Sequence, residues 1–153
     1  MTAVKTFTYH QAYALNVVDG DTFDAVVSLT PDLQTQRRIR IRGIDAPEVR
    51  TADPQRKQAG LYAKALLEQL LKHTDIQLVL HGHDHYGRWV CDVSNADYTD
   101  IAGAMVAMGG ARVRRTDHKR LSDSVWLYDS EWIETRRNLE QYEDNQYQIT
   151  DLQ

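Results

Sequence analysis

The sequence contains one cysteine, Cys91, which excludes an intrachain disulfide and agrees with a reducing compartment. No run of about 18 apolar residues occurs, so no transmembrane helix is predicted. The N-terminus, Met1 to Phe7, lacks the apolar stretch of a signal peptide. A cytoplasmic protein is therefore expected, although a trimmed secreted form would read the same way. Internal repeats, linkers and low-complexity tracts are missing as well. What remains is 153 residues, 42% hydrophobic and 26% charged, which suits one soluble domain over 1–153 with its own core.

An excess of positive charge is also lacking: the net charge is -4, which at first argues against a nucleic-acid partner. The distribution reverses that argument. Residues 1–122 carry 16 Lys and Arg against 14 Asp and Glu, whereas residues 123–153 carry 2 against 8. The acidity thus belongs to the C-terminal segment, and local placement decides what the rest can bind.

Alternating apolar residues predict strands over 7–18, Thr22–Leu29, Arg37–Ile44, Asp75–His81 and Tyr86–Val93. Asp19-Gly20-Asp21 and Thr30-Pro31-Asp32 are the turns of a three-strand antiparallel meander, and 82–85 a hairpin loop. Asp53-Pro54 opens a helix whose stripe is Ala59, Ala63, Leu66, Leu67, Leu70 and Leu71. A short helix over 98–108 closes at Gly109-Gly110. From Asp117, the spacing of Leu121, Val125, Tyr128, Trp132, Leu139 and Tyr142 predicts a third, long helix. Five strands and about three helices suit an α+β fold built on a small closed barrel of the OB type.

Three stretches carry the candidate chemistry. Val18-Asp19-Gly20-Asp21-Thr22 is an acidic turn; Arg38 to Glu48 is an arginine-bearing strand ending in Asp45 and Glu48; Asp84-His85-Tyr86-Gly87-Arg88 is a third turn. Phosphodiester hydrolysis needs charge neutralised, a water aimed and a leaving oxygen stabilised. Asp21 and Asp45 are oxygen donors suited to calcium, Arg40 and Arg88 can each grip a phosphate through paired N–H donors, and Glu48 can orient or deprotonate water.

Asp19-Gly20-Asp21-Thr22, Arg40 with Asp45-Ala46-Pro47-Glu48, and Asp84 to Arg88 together resemble the three signatures of the staphylococcal nuclease (thermonuclease) family, over roughly 8–135. The resemblance implies a calcium-dependent phosphodiesterase on an OB-fold barrel, cleaving the P–O5′ bond of DNA or RNA with little sequence preference. It implies Ca²⁺ held by Asp21, Asp45 and the backbone carbonyl of Ala46, phosphate and transition state bound by Arg40 and Arg88, and a water oriented by Glu48. Tyr86, His85, Arg114 and Arg115 are the expected substrate contacts. His85 stands where such proteins often carry a basic residue, and the run from Arg112 to Arg120 lacks their stacking tyrosines, so grip there is expected to be electrostatic.

Other readings stand beside this one. A non-catalytic OB module binding nucleic acid or protein would share the fold. His81, His83 and His85 fall on one strand face, which permits a zinc site. Arg38 and Arg42 read as a solvated strand face, Trp126 and Trp132 as packing anchors, and Cys91 as a small core residue. The segment 136–153 is expected to be a helical or frayed acidic tail, compatible with a monomer or with a dimer through the last helix.

Overall fold

The computed structural model describes residues 5–72 and 74–114. Strand β1 (Phe7–Asp19) turns at Gly20 into β2 (Thr22–Thr30), which turns again into β3 (Leu33–Ile41). After a two-residue strand, β4 (Ile44–Asp45), come helix α1 (Pro54–Leu71), β5 (Ile76–His83) and β6 (Trp89–Asn95). Helix α2 (Ile101–Ala107) and β7 (Arg112–Val113) complete the described chain.

Five strands close a barrel in the order β1-β2-β3-β6-β5. All pairs are antiparallel except β3 with β6, where Ile39 faces Trp89 and Ile41 faces Cys91. Closure depends on β1, which pairs with β2 along its second half and β5 along its first. Register shifts between Ala14 and Asn16 and between Val17 and Asp19 bend it enough to serve both partners. This is the expected OB-type barrel.

Alternation sets the core. Phe23, Ala25 and Val27 from β2, Ile39 and Ile41 from β3, and Leu78 from β5 are fully buried. Cys91 lies among them, and burial, reinforced by the charge of Asp92, pushes its thiol up to about 12. It stays protonated and inert.

Helix α1 begins where expected. The Asp53 carboxylate accepts the backbone N–H groups of Gln55 and Arg56, and Pro54 occupies the first helical position, where its missing N–H is harmless. All six residues of the predicted stripe are buried. At its far end Asn95 donates to the Leu70 carbonyl and the Thr74 hydroxyl, tying α1 to β6. Helix α2 ends as Gly109-Gly110 suggested: Gly109 takes φ of 83°, its N–H reaches Val106, and the Gly110 N–H reaches Met105.

Several boundaries differ from expectation. The third strand starts at Leu33 and ends at Ile41, because the turn after Thr30 is tight and Gly43, at φ of 87°, swings the chain away. Ile44–Asp45 then pairs not with the barrel but with Val113 and Arg112 of β7. The hairpin loop sits at 84–88 rather than 82–85. A bulge between Leu80 and Gly82 lets β5 run on to His83, and the Asp84 side chain builds the turn. The predicted third helix, with Trp126 and Trp132, lies outside the described residues.

Candidate active site

The acidic turn and the arginine strand meet through the ladder itself, since Thr22 pairs with Arg40 across β2 and β3. Asp21 hands its carbonyl to the Ile41 N–H. Asp21, Arg40 and Asp45 are 2%, 4% and 2% exposed, so three charges share one nearly dry position. Arg40 Nη2 donates to Asp45 Oδ1 at 2.5 Å and lies 3.6 Å from Asp21 Oδ2, while Nη1 donates to the Ile41 carbonyl. Asp21 also accepts the Ala46 N–H at 2.8 Å and the Thr22 hydroxyl at 2.9 Å. The two expected carboxylates therefore converge on one guanidinium nitrogen, with the Ala46 backbone alongside.

Asp84 organises the third turn. Its Oδ1 accepts the backbone N–H groups of Tyr86 and Arg88, and its Oδ2 accepts Arg88 Nε at 2.5 Å. Burial pushes the carboxyl of Asp84 upward, but these hydrogen bonds and the guanidinium charge outweigh it and hold it below the ordinary value. Arg88 is thereby aimed with its Nη1 3.5 Å from the Thr22 hydroxyl, and its guanidinium lies 5.2 Å from the centre of the Tyr86 ring. Thr22 thus stands between Asp21 below and Arg88 above.

Beyond Thr22 opens a cleft of about 720 Å³, lined in part by Glu48, Arg88, Tyr86 and Thr22, while Asp21, Arg40 and Asp45 lie behind its wall. Glu48 is half-buried and Tyr86 is 85% exposed. Asp19, at the lip, accepts the Val49 N–H at 2.9 Å and so pins the backbone next to Glu48. The structure brings together Asp21, Arg40, Asp45 and Ala46 at one point, and Glu48, Tyr86 and Arg88 in the cleft joined to it through Thr22. His85 is exposed on the same turn but does not line the cleft. Arg114 follows β7, where its N–H bonds the Gly43 carbonyl, and it too is absent from the cleft wall. Arg115 lies outside the described residues.

A family model described as staphylococcal nuclease homologue matches residues 38–139, which is 102 of the 153 positions. The chain belongs to the staphylococcal nuclease family. No match is found among the curated proteins. Family membership accords with the barrel and with a nuclease-like site, and it covers Arg40, Asp45, Glu48 and Arg88, while Asp21 precedes the matched span.

The other candidates resolve differently. Arg38 and Arg42 are about half exposed and bound sideways, to Asp24 and Asp92 respectively. His81 is held by Asp92 at 2.7 Å, and His83 meets Trp89 edge-on. Among the described residues no three His, Cys, Asp or Glu side chains form a metal-holding group, which leaves the zinc reading of 81–85 without a ligand set. No helix among the described residues is long and apolar enough to cross a membrane.

Two close backbone approaches that shape the site escaped the sequence reading. Gly60 is one: a Cβ there would lie 2.4 Å from the Glu48 carbonyl oxygen and 2.9 Å from the Val49 nitrogen. Gly20 is another, with Ala63 Cβ at 2.6 Å and Ala46 Cβ at 2.9 Å from its notional Cβ. Helix α1 is therefore pressed against both acidic turns through residues that have almost no side chain. A glycine inside a helix costs about 1 kcal/mol relative to alanine, and that cost was the available signal.

Proposed function

We propose that this protein is a calcium-dependent phosphodiesterase that hydrolyses the P–O5′ bond of DNA or RNA with little sequence preference. The observation that carries the reading is the convergence of Asp21 and Asp45 on Arg40, joined through Thr22 to a cleft holding Glu48 and Arg88. The donor chemistry fits calcium: two carboxylates and a neighbouring backbone carbonyl are hard oxygen ligands, and water completes a shell of six to eight. Asp21, Asp45 and the Ala46 carbonyl would hold the ion. When bound it would supply Lewis acidity at the phosphoryl oxygens and lower the pKa of a coordinated water.

The remaining work falls to the side chains. Arg88, fixed by Asp84, offers its Nη donors to a phosphate in the cleft. Arg40, buried against the carboxylates, contributes positive charge where the phosphorane gathers negative charge. Glu48 orients the attacking water or takes its proton, a role worth about 10²–10⁴ in rate. Tyr86, almost wholly exposed beside Arg88, offers a face to a base or sugar.

The test is digestion of end-labelled single-stranded DNA with calcium, with and without chelator, followed by analysis of the new termini. Cleavage that requires the ion and leaves 3′-phosphate and 5′-hydroxyl ends supports the reading. Intact DNA in calcium defeats it and, if the DNA is nonetheless bound, leaves a non-catalytic OB module.

A further inference from the structure

The cleft has a second basic wall. Arg50 and Lys57 line it on the α1 side, facing the same space as Glu48, Tyr86 and Arg88. Their situation differs from that of the other cleft arginines. Arg38 is bound in two places by Asp24, and Arg88 is held by Asp84. Arg50 and Lys57 form no ion pair among the described residues, and both are exposed.

Their backbones are nonetheless fixed. Arg50 follows Val49, whose N–H is pinned by Asp19, and Lys57 sits in the first turn of α1, its N–H bonded to the Asp53 carbonyl. Two cations on ordered backbone, in no ion pair among the described residues, thus share a concavity with two carboxylates, Asp19 and Glu48. A single phosphate gripped by Arg88 has no need of them. A strand that runs on past Arg88 brings a further phosphate along the same cleft, where its charge must be matched.

We propose that Arg50 and Lys57 form a subsite for a phosphate adjacent to the scissile one, so that the favoured substrate is a polynucleotide strand crossing the cleft from Tyr86 to α1. This rests on the nuclease reading for the identity of the scissile phosphate. The binding itself does not depend on catalysis.

The experiment is equilibrium binding of a fluorescein-labelled twelve-residue oligothymidylate in chelator, across a salt series, to wild type and to the Arg50→Gln, Lys57→Gln double variant. Each phosphate neutralised on a single strand contributes about 0.7 to the slope of log affinity against log salt, so loss of this one subsite should lower the slope by about 0.7. In calcium, the ratio of kcat/KM on the oligonucleotide to that on thymidylyl-thymidine, which has one phosphate, should drop at least about fivefold. An unchanged slope together with an unchanged ratio overturns the subsite. If wild type cleaves neither substrate the nuclease reading fails, and the salt slope alone then decides for or against the basic wall.

Discussion

Replacing Gly60 with alanine tests whether α1 sets the geometry of the loop that carries Glu48. The new Cβ would stand 2.4 Å from the Glu48 carbonyl oxygen, 0.6 Å inside the 3.0 Å that such contacts respect, and the obstructing atoms are backbone. A side chain could rotate away; the Glu48–Val49 peptide cannot, and Val49 is tethered to Asp19 from the other side. The loop or the helix must therefore shift by about half an ångström or more, and Glu48 moves with it. Misplacing a reacting group by about 1 Å can cost 10²-fold, so a loss of about 10- to 100-fold in kcat is expected, with KM on single-stranded DNA nearly unaltered.

Stability should respond far less. Overpacking costs about 1–3 kcal/mol, while exchanging glycine for alanine in a helix interior returns about 1 kcal/mol. The net is a loss of at most about 2 kcal/mol, a drop in Tm of a few degrees, visible in a thermal melt and too small to unfold the protein at 25 °C. Gly103→Ala is the control, since the atoms nearest its Cβ belong to the side chain of Asp100, which is exposed and can rotate. It should keep full activity. A Gly60→Ala protein with wild-type kcat would refute the claim that contact between α1 and the loop positions Glu48.

Glu48→Gln should lower kcat by about 10²–10⁴ without changing the melting curve, because the side chain is only half-buried; a melt shifted by many degrees would show a structural role instead. Arg40→Ala should be inactive and also less stable by about 3–5 kcal/mol in chemical denaturation, because it strips a guanidinium from two buried carboxylates; an unaltered midpoint would mean the cluster is not held by that charge. Asp84 has its carboxyl held below the ordinary 3.8, so its contribution is complete above that value and is lost as pH falls through the lower folded one. Asp84→Asn should therefore be less stable than wild type at neutral pH, with the gap closing in acid; a gap undiminished at about pH 2 would contradict the sign. Tyr86→Ala, at a position almost fully exposed, should raise KM several-fold and leave the melt alone, and an unchanged KM would remove it from substrate contact.

How much of this was readable beforehand follows from which forces are local. Strand alternation, the Asp53-Pro54 start and the α1 stripe are set by side-chain polarity and single-residue geometry, and the barrel they imply is the one observed. Strand ends were less readable. Whether β3 stops at Ile41 or Ile44 depends on a partner 69 residues away, Val113 for Ile44, that no local pattern announces. The same distinction holds in the site. Asp21, Arg40, Asp45 and Arg88 are recognisable because their chemistry is carried by the side chain. Thr22 as the link to Arg88, and Asp84 as the anchor of its turn, emerge only from the packing.

Gly60 and Gly20 show why such a site resists being read from its charged residues alone. Barrel turns supply the carboxylates, but turns are soft, and the proposed hydrolysis needs its water and its phosphate held to well under an ångström. Here the stiffness comes from an 18-residue helix brought into contact with both turns at once, Gly60 against the Glu48 backbone and Ala63 against Gly20. The approach is possible only where one of the two surfaces has no side chain. A larger residue at any of these contacts would leave every candidate ligand and arginine in the sequence while pushing apart the turns that carry them.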